Sequence, residues 1–96
     1  MGRRERAEKA EVSRTPEGAF GSTLRRIRLK RGLSQQLLAD KSGYHRTYIG
    51  LLERGQKSPS LRAIFNIATT LQVRPSEILA EIQRLVGRAR KANLAG

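Results

Sequence analysis

Residues 34–55 read SQQLLADKSGYHRTYIGLLERG and contain clear signals for where helices begin and end. Ser34 suits the N-cap of a helix, because its hydroxyl can accept a hydrogen bond from an orphan backbone N–H of the first turn. Leu38 gives that helix an apolar face, and Gly43 ends it where the chain turns through positive φ. A further helix is predicted over residues 45–54. The stretch therefore predicts two short helices joined by a tight turn.

Helical spacing continues on both sides of this stretch. Before it, apolar residues from Phe20 to Ile27 recur at helical intervals, and Gly32 stops that helix. After it, Ser60 can cap a fourth helix and Pro75 suits the first turn of a fifth. No segment shows the alternation that is typical of a strand. The sequence predicts an all-α fold, a compact domain of five helices.

The distribution of charge divides the chain. It holds 20 Lys and Arg against 8 Asp and Glu, a formal net charge of +12. In residues 1–18 basic and acidic side chains nearly cancel and little could anchor a core, which predicts a disordered, charged leader. Residues 19–86 are predicted to form the folded domain, and residues 87–96 a basic, flexible tail. A positive surface of this size attracts nucleic acid, anionic membranes and acidic proteins alike.

Residue content excludes several kinds of site. The chain has no Cys and one His, so neither a disulfide scaffold nor a thiolate or histidine zinc site is expected. No apolar run approaches ~18 residues, and the charged N-terminus lacks the apolar stretch of a signal peptide. There is no Gly-rich phosphate loop and no nucleophile–base pair, so no enzyme is expected. We expect a cytoplasmic protein with no metal, cofactor, membrane association or small-molecule effector.

The helix predicted over residues 45–54 has two unlike faces. At about 100° per residue, Ile49 and Leu52 fall on one half of the helix. The other half carries Arg46, Thr47, Gly50, Leu51 and Arg54. Such residues suit base edges, because Arg bonds guanine in a bidentate manner and Thr and Leu contact a thymine methyl. Gly50 would permit close approach to DNA. A solvated helix face is the other interpretation. For Tyr48, on the boundary, core packing and a DNA contact are both compatible with the pattern.

A set of short motifs spans the predicted domain. They are Leu24-Arg25-Arg26-Ile27-Arg28, Arg31-Gly32-Leu33-Ser34-Gln35, Leu38-Ala39, Ser42-Gly43, Tyr48-Ile49, Leu52-Glu53-Arg54-Gly55, Pro59-Ser60-Leu61 and Ile67-Ala68. Over residues 19–80 the chain closely resembles the Cro/phage-repressor (XRE-type) helix-turn-helix domain. The resemblance implies a lambda-repressor-like fold that binds operator DNA, usually as a two-fold dimer. The stretch from residue 45 to residue 55 looks most like the controller proteins of restriction–modification systems.

The resemblance implies roles in DNA binding for individual residues. Base-facing positions of the recognition helix would be occupied by Arg46, Thr47 and Leu51, joined in the controller-like branch by Tyr48. Contacts to backbone phosphate would come from Gln35, Lys57, Ser58 and Ser60, and Arg54 at the end of the outward face is assigned with them. Gln35 would also brace the base-reading residues. Helix N-termini such as the one after Ser60 bind phosphate because their free N–H groups converge on it.

The resemblance also assigns Arg28 and Glu53 to a structural ion pair between the first and third helices. A phosphate contact is the alternative role of Arg28. Three residues depart from the family pattern. His45 and Arg74 stand where Ser, Thr or Asp would cap a helix, and Leu37 stands where Glu is usual.

The fifth predicted helix has more apolar surface than a small core is expected to absorb. We expect a two-fold dimer contact there, and packing within one chain is the alternative. The residues assigned to this contact are Leu79, Ile82, Leu85 and Val86. A two-fold dimer would place its recognition helices about 34 Å apart on an inverted-repeat operator. The sequence thus predicts a transcriptional regulator that binds specific double-stranded DNA as a homodimer. The alternative is an antitoxin or bridging-type protein-interaction module with the same fold.

Overall fold

The computed structural model of the chain describes residues 15–95, and residues 1–14 of the predicted leader lie outside that range. The helices are α1 (Pro16–Lys30), α2 (Gln35–Ser42), α3 (Arg46–Glu53), α4 (Leu61–Leu71) and α5 (Pro75–Ala95). No strand occurs in this part of the chain, and the predicted all-α fold with five helices is confirmed. Within the same residues, no helix combines the length and the apolarity needed to cross a membrane.

Helix α1 begins inside the segment that the sequence analysis assigned to the leader. Thr15 is its N-cap, and the Thr15 hydroxyl accepts a hydrogen bond from the Gly18 N–H at 2.9 Å. Pro16 occupies the first turn, where a missing N–H costs nothing. Gly18 is already buried. The predicted boundary at residue 18 is therefore wrong, because the folded domain already includes Thr15 and Pro16. Composition alone did not show this, because a polar cap, a proline and a glycine are also typical of a loop.

The turn between α2 and α3 forms as the quoted stretch predicts. The Ser34 hydroxyl accepts a hydrogen bond from the Leu37 N–H at 3.0 Å, and Gly43 ends α2 in the left-handed region with φ of 81°. His45 makes no side-chain capping bond at the start of α3, as its residue type predicted. The first turn of α3 therefore keeps unpaired N–H groups on the side where Arg46 begins the helix.

The core lies where α1 packs against α3 and α5, and where α2 packs against α3 and α4. Its largest fully buried apolar side chains are Phe20, Leu24, Leu38, Ile49, Leu52, Ile67, Leu71 and Ile78. Gly21 brings α1 unusually close to α3: a Cβ atom there would lie 2.6 Å from the Glu53 carbonyl oxygen and nearer still to that of Leu52. The end of α3 is therefore fixed by direct contact with the backbone of α1.

Helix α5 extends beyond the predicted end of the domain. It continues through Gly87 to Ala95, so most of residues 87–96, the segment predicted as a flexible tail, is helical. Glycine inside a helix costs about 1 kcal/mol relative to alanine. The neighbouring Arg, Ala, Lys and Leu residues are good helix formers, and no proline follows. The helix therefore passes through this single unfavourable position.

Candidate nucleic-acid interface

Helix α3 has the two faces that its sequence predicts. Ile49 and Leu52 are fully buried, whereas Arg46 and Thr47 are exposed on the other side. Neither of these two exposed side chains makes a hydrogen bond or an ion pair within residues 15–89, the range whose side chains the structure describes. Leu51 is half-buried at the margin of the face. The first turn of α3 thus presents a cation and a hydroxyl to solvent on a helix whose opposite face is anchored in the core.

Gly50 lies on the outward face, as the helical wheel predicts, but the side chain of Arg54 covers it. It is buried, and a Cβ atom at this position would lie 3.2 Å from Nη1 of Arg54. Helical side chains point back toward the N-terminus, so Arg54 lies over the residue four positions earlier. The Arg54 Nε also donates to the Gln56 side-chain oxygen at 3.3 Å. Arg54, predicted to bind phosphate, is exposed and lies at the junction of α3 with the following loop.

Arg28 and Glu53, the two residues predicted to pair, form a buried bidentate contact. Arg28 Nε lies 2.6 Å from Glu53 Oε2, and Arg28 Nη2 donates to Glu53 Oε1 at 3.0 Å. The remaining Arg28 nitrogen, Nη1, donates to the Leu33 carbonyl oxygen at 2.8 Å. The guanidinium is therefore turned into the protein, toward α3 and the start of the α1–α2 turn, and not toward solvent.

Gln35 links α2 to the ion pair between α1 and α3. Its Nε2 donates to Glu53 Oε1 at 3.1 Å, so one carboxylate receives bonds from α1 and from the first residue of α2. This bond ties the first residue of α2 to the last residue of α3. The predicted bracing of the base-reading residues by Gln35 and its predicted phosphate contact both stay predictions. The three side chains hold the two helices of the helix-turn-helix in a fixed relation to α1.

Tyr48 occupies the boundary position that its sequence placement indicates. The side chain is half-buried at the edge of the core, and its ring centroid lies 5.0 Å from that of Tyr44. Lys57 Nζ lies 5.6 Å from the Tyr48 ring centroid on the loop that follows α3. Burial raises the pKa of the Tyr48 hydroxyl and Tyr44 raises it further, whereas the Ser60 backbone amide acts to lower it. Tyr48 therefore connects α3 with the loop of residues 56–60.

That loop brings the remaining predicted phosphate ligands beside α3. Lys57 and Ser58 are exposed, and Ser60 caps α4 by accepting a hydrogen bond from the Ala63 N–H at 3.0 Å. The N-terminus of α4 thus lies next to a lysine and close to Tyr48. The structure brings together the end of α3, the loop and the start of α4 on one side of the molecule, where their charge is positive.

The predicted dimer residues on α5 fall into two groups. Leu79 is 45% exposed, whereas Ile82 packs against the core and Leu85 and Val86 are half-buried. Leu61 and Phe65 on α4 are 69% and 53% exposed and were not included in the predicted contact. Their spacing of four residues places them on one face of α4, and a wheel drawn for that helix would have separated them from the buried Ile67 and Ala63.

Comparison with known proteins identifies the same architecture. Control protein C.BamHI of Bacillus amyloliquefaciens is 44% identical over 61 residues, which cover 62% of this chain and 75% of that protein. The crystal structure of the restriction-modification controller protein C.AhdI from Aeromonas hydrophila has 47% identity and a TM-score of 0.61, covering 62% of this chain and 91% of that one. The clp gene regulator ClgR from Corynebacterium glutamicum has 27% identity and a TM-score of 0.74, covering 84% and 87%.

The match of residues 24–78 to the family described as Helix-turn-helix spans the second half of α1, all of α2, α3 and α4, and the first turn of α5. This family consists of DNA-binding regulators and not of enzymes. Three findings point to one family: the sequence motifs, the arrangement of five helices and the similar proteins. The chain belongs to the XRE-type helix-turn-helix family of DNA-binding proteins.

Proposed function

We propose that this protein regulates transcription by binding a specific sequence of double-stranded DNA as a homodimer. The observation that carries the proposal is the exposure of Arg46 and Thr47 on a helix whose other face is buried in the core. A helix held in this way can enter the major groove, where each base pair shows a distinct pattern of donors and acceptors. The function requires no catalytic group and no cofactor.

Base reading is assigned to the outward side of α3. Arg46 would donate two hydrogen bonds to a guanine, and Thr47 would bond or contact an adjacent base. Leu51 has enough exposed surface to contact a thymine methyl from the margin of the face. Tyr48 would join them from its boundary position. Discrimination would then rest mainly on the first turn of α3, because the next turn has Gly50 buried under Arg54.

Affinity is assigned to phosphate contacts around that helix. The residues proposed for them are Gln35, Arg54, Lys57, Ser58 and Ser60 with the N-terminus of α4. Neutralising phosphates releases counterions from the duplex, so binding weakens as salt is added. If about six phosphates are neutralised, the logarithm of the association constant falls against the logarithm of salt with a slope near −5.

The homodimer is proposed to use α5 on a two-fold axis. Leu79 supports this proposal because it is a large apolar side chain left exposed, and Ile82, Leu85 and Val86 lie on the same helix. The operator would then be an inverted repeat with half-sites about one helical turn apart. The regulator would act in the cytoplasm, where bacterial DNA lies. Two relatives are named as control proteins of restriction–modification systems, which supports a role of this kind here.

The proposal is tested by selecting bound duplexes from a random DNA pool with the full chain. We expect an enriched inverted repeat. Light scattering in parallel should return a dimer at tens of micromolar. A pool that stays random would remove the proposal of specific binding. A monomer with and without DNA would remove the dimer and its inverted repeat.

A further inference from the structure

Tyr44, in the turn between α2 and α3, is held from two directions. Its hydroxyl accepts a hydrogen bond from Asn66 Nδ2 of α4 at 3.1 Å. Its ring packs against that of Tyr48 with centroids 5.0 Å apart and an angle of 34° between the planes. We name Asn66, Tyr44, Tyr48 and Lys57 the tyrosine stack, since Lys57 Nζ continues the series over the Tyr48 ring. The stack links α4, the turn, the reading helix and the loop of residues 56–60.

The outer end of the stack coincides with the proposed phosphate contacts. Lys57 lies over the Tyr48 ring, and the Ser60 backbone amide acts on the hydroxyl of the same residue. One residue therefore contacts both the Lys57 cation and the N-cap residue of α4. An exposed lysine has a flexible four-carbon stem, and a cation–π contact selects among its many conformations.

Tyr48 itself depends on Tyr44. The Tyr48 side chain is half-buried, and the core covers only part of it. The Tyr44 ring covers another part, and the hydrogen bond from Asn66 fixes that ring in turn. Tyr44 carries no charge and does not belong to the outward face of α3. Its contribution to binding would therefore pass through the residues that it orients.

We propose that Tyr44 is a positioning residue for DNA binding, which fixes the Tyr48 ring and through it the Lys57 ammonium at a backbone phosphate. The inference rests on the proposed function. It adds a residue outside the predicted binding set and states which contact that residue controls. Removal of the Tyr44 ring would release Lys57 and lose one phosphate contact in each protomer, while the bases read by Arg46 would stay the same.

The test measures the salt dependence of DNA binding for the wild type, Lys57→Ala, Tyr44→Leu and the double variant. Each neutralised phosphate contributes about 0.9 to the slope of the logarithmic plot. We expect Lys57→Ala and Tyr44→Leu each to reduce the slope by about 0.9 per protomer. The double variant should show the same reduction as either single variant, because both remove one contact. Tyr44→Phe keeps the ring but loses the bond from Asn66, so its slope should lie between those of the wild type and Tyr44→Leu.

Ile78→Val is the matched control for a purely structural effect. Ile78 is fully buried on α5, outside the stack, so this variant should lower the melting temperature and leave the slope unchanged. A wild-type slope in Tyr44→Leu, or in Lys57→Ala, would overturn the inference while leaving the proposed function intact. Absence of DNA binding by the wild type would instead remove the proposed function and this inference with it.

Discussion

Arg28 and Glu53 stand 25 positions apart in the chain and meet in a two-point contact between α1 and the end of α3. Both residues are nearly inaccessible, with exposed fractions of 7% and 9%. Gln35 bonds to the same carboxylate, so α3 is tied to both preceding helices at one group. The orientation of α3 therefore depends on a buried polar junction as well as on apolar packing.

Loss of one member of this pair is expected to destabilise the fold strongly. Glu53→Ala leaves the Arg28 guanidinium buried without its partner, and the free energy of unfolding should fall by about 3–5 kcal/mol. Chemical denaturation followed by circular dichroism measures this change. Glu77→Ala is the control, since Glu77 pairs with Arg74 at an exposed site and should cost under about 1 kcal/mol. Equal decreases in the free energy of unfolding of the two variants would contradict the structural role of the buried pair.

Gly21 should not accept a side chain. Alanine there would gain about 1 kcal/mol of helix propensity, but its Cβ would collide with backbone oxygens of α3 that cannot move away alone. We expect a net loss of stability and weaker DNA binding in Gly21→Ala. Gly87→Ala makes the same change where a Cβ meets only open space, and it should stabilise the protein by up to about 1 kcal/mol. A melting temperature that rises in both variants would argue against the close contact of Gly21 with the backbone of α3.

Thr23 carries a buried hydroxyl that finds no hydrogen-bond partner among the residues that the structure describes. An unsatisfied buried hydroxyl costs about 1–3 kcal/mol, and valine has nearly the same shape. Thr23→Val is therefore expected to leave stability unchanged or to raise it by about 1 kcal/mol. Thr69→Val removes a hydroxyl that bonds the Phe65 carbonyl oxygen and serves as the comparison. If Thr23→Val lowers the free energy of unfolding by more than Thr69→Val does, the Thr23 hydroxyl has a hydrogen-bond partner.

The ionisation of Tyr48 provides a prediction at alkaline pH. The folded pKa is raised above the ordinary value of 10, chiefly by burial, so the folded state favours the neutral phenol. Its contribution to stability is fully present below pH 10 and is lost as pH rises through the folded pKa. The chain has two tyrosines, so phenolate absorbance in Tyr44→Phe reports Tyr48 alone. We expect a pKa above 10 in Tyr44→Phe and a lower one in Tyr44→Leu, where the ring that covers Tyr48 is lost. Identical titrations in the two variants would contradict the contact.

Local patterns were enough to predict the helices and the α2–α3 turn. Ser34 and Gly43 act within three or four residues of their own position, so their roles can be seen in the sequence. The direction of a long side chain cannot be seen there, and for that reason the helical wheel did not show that Arg54 covers Gly50. The bond between Tyr44 and Asn66 spans 22 positions, and nothing in the spacing of either residue indicates it. Gly21 was open to inference, because a glycine within a helical pattern often marks a close approach.

The most direct test of base reading compares wild type and Arg46→Ala at every base pair of the selected operator. Each position is substituted in turn, and binding is measured by fluorescence anisotropy at fixed salt. Arg46→Ala should lose its preference at one position in each half-site, where the wild type discriminates by about 1–3 kcal/mol, and keep its preference elsewhere. An Arg46→Ala profile with the affinity and the base preferences of the wild type would contradict the assignment of α3 as the helix that reads DNA.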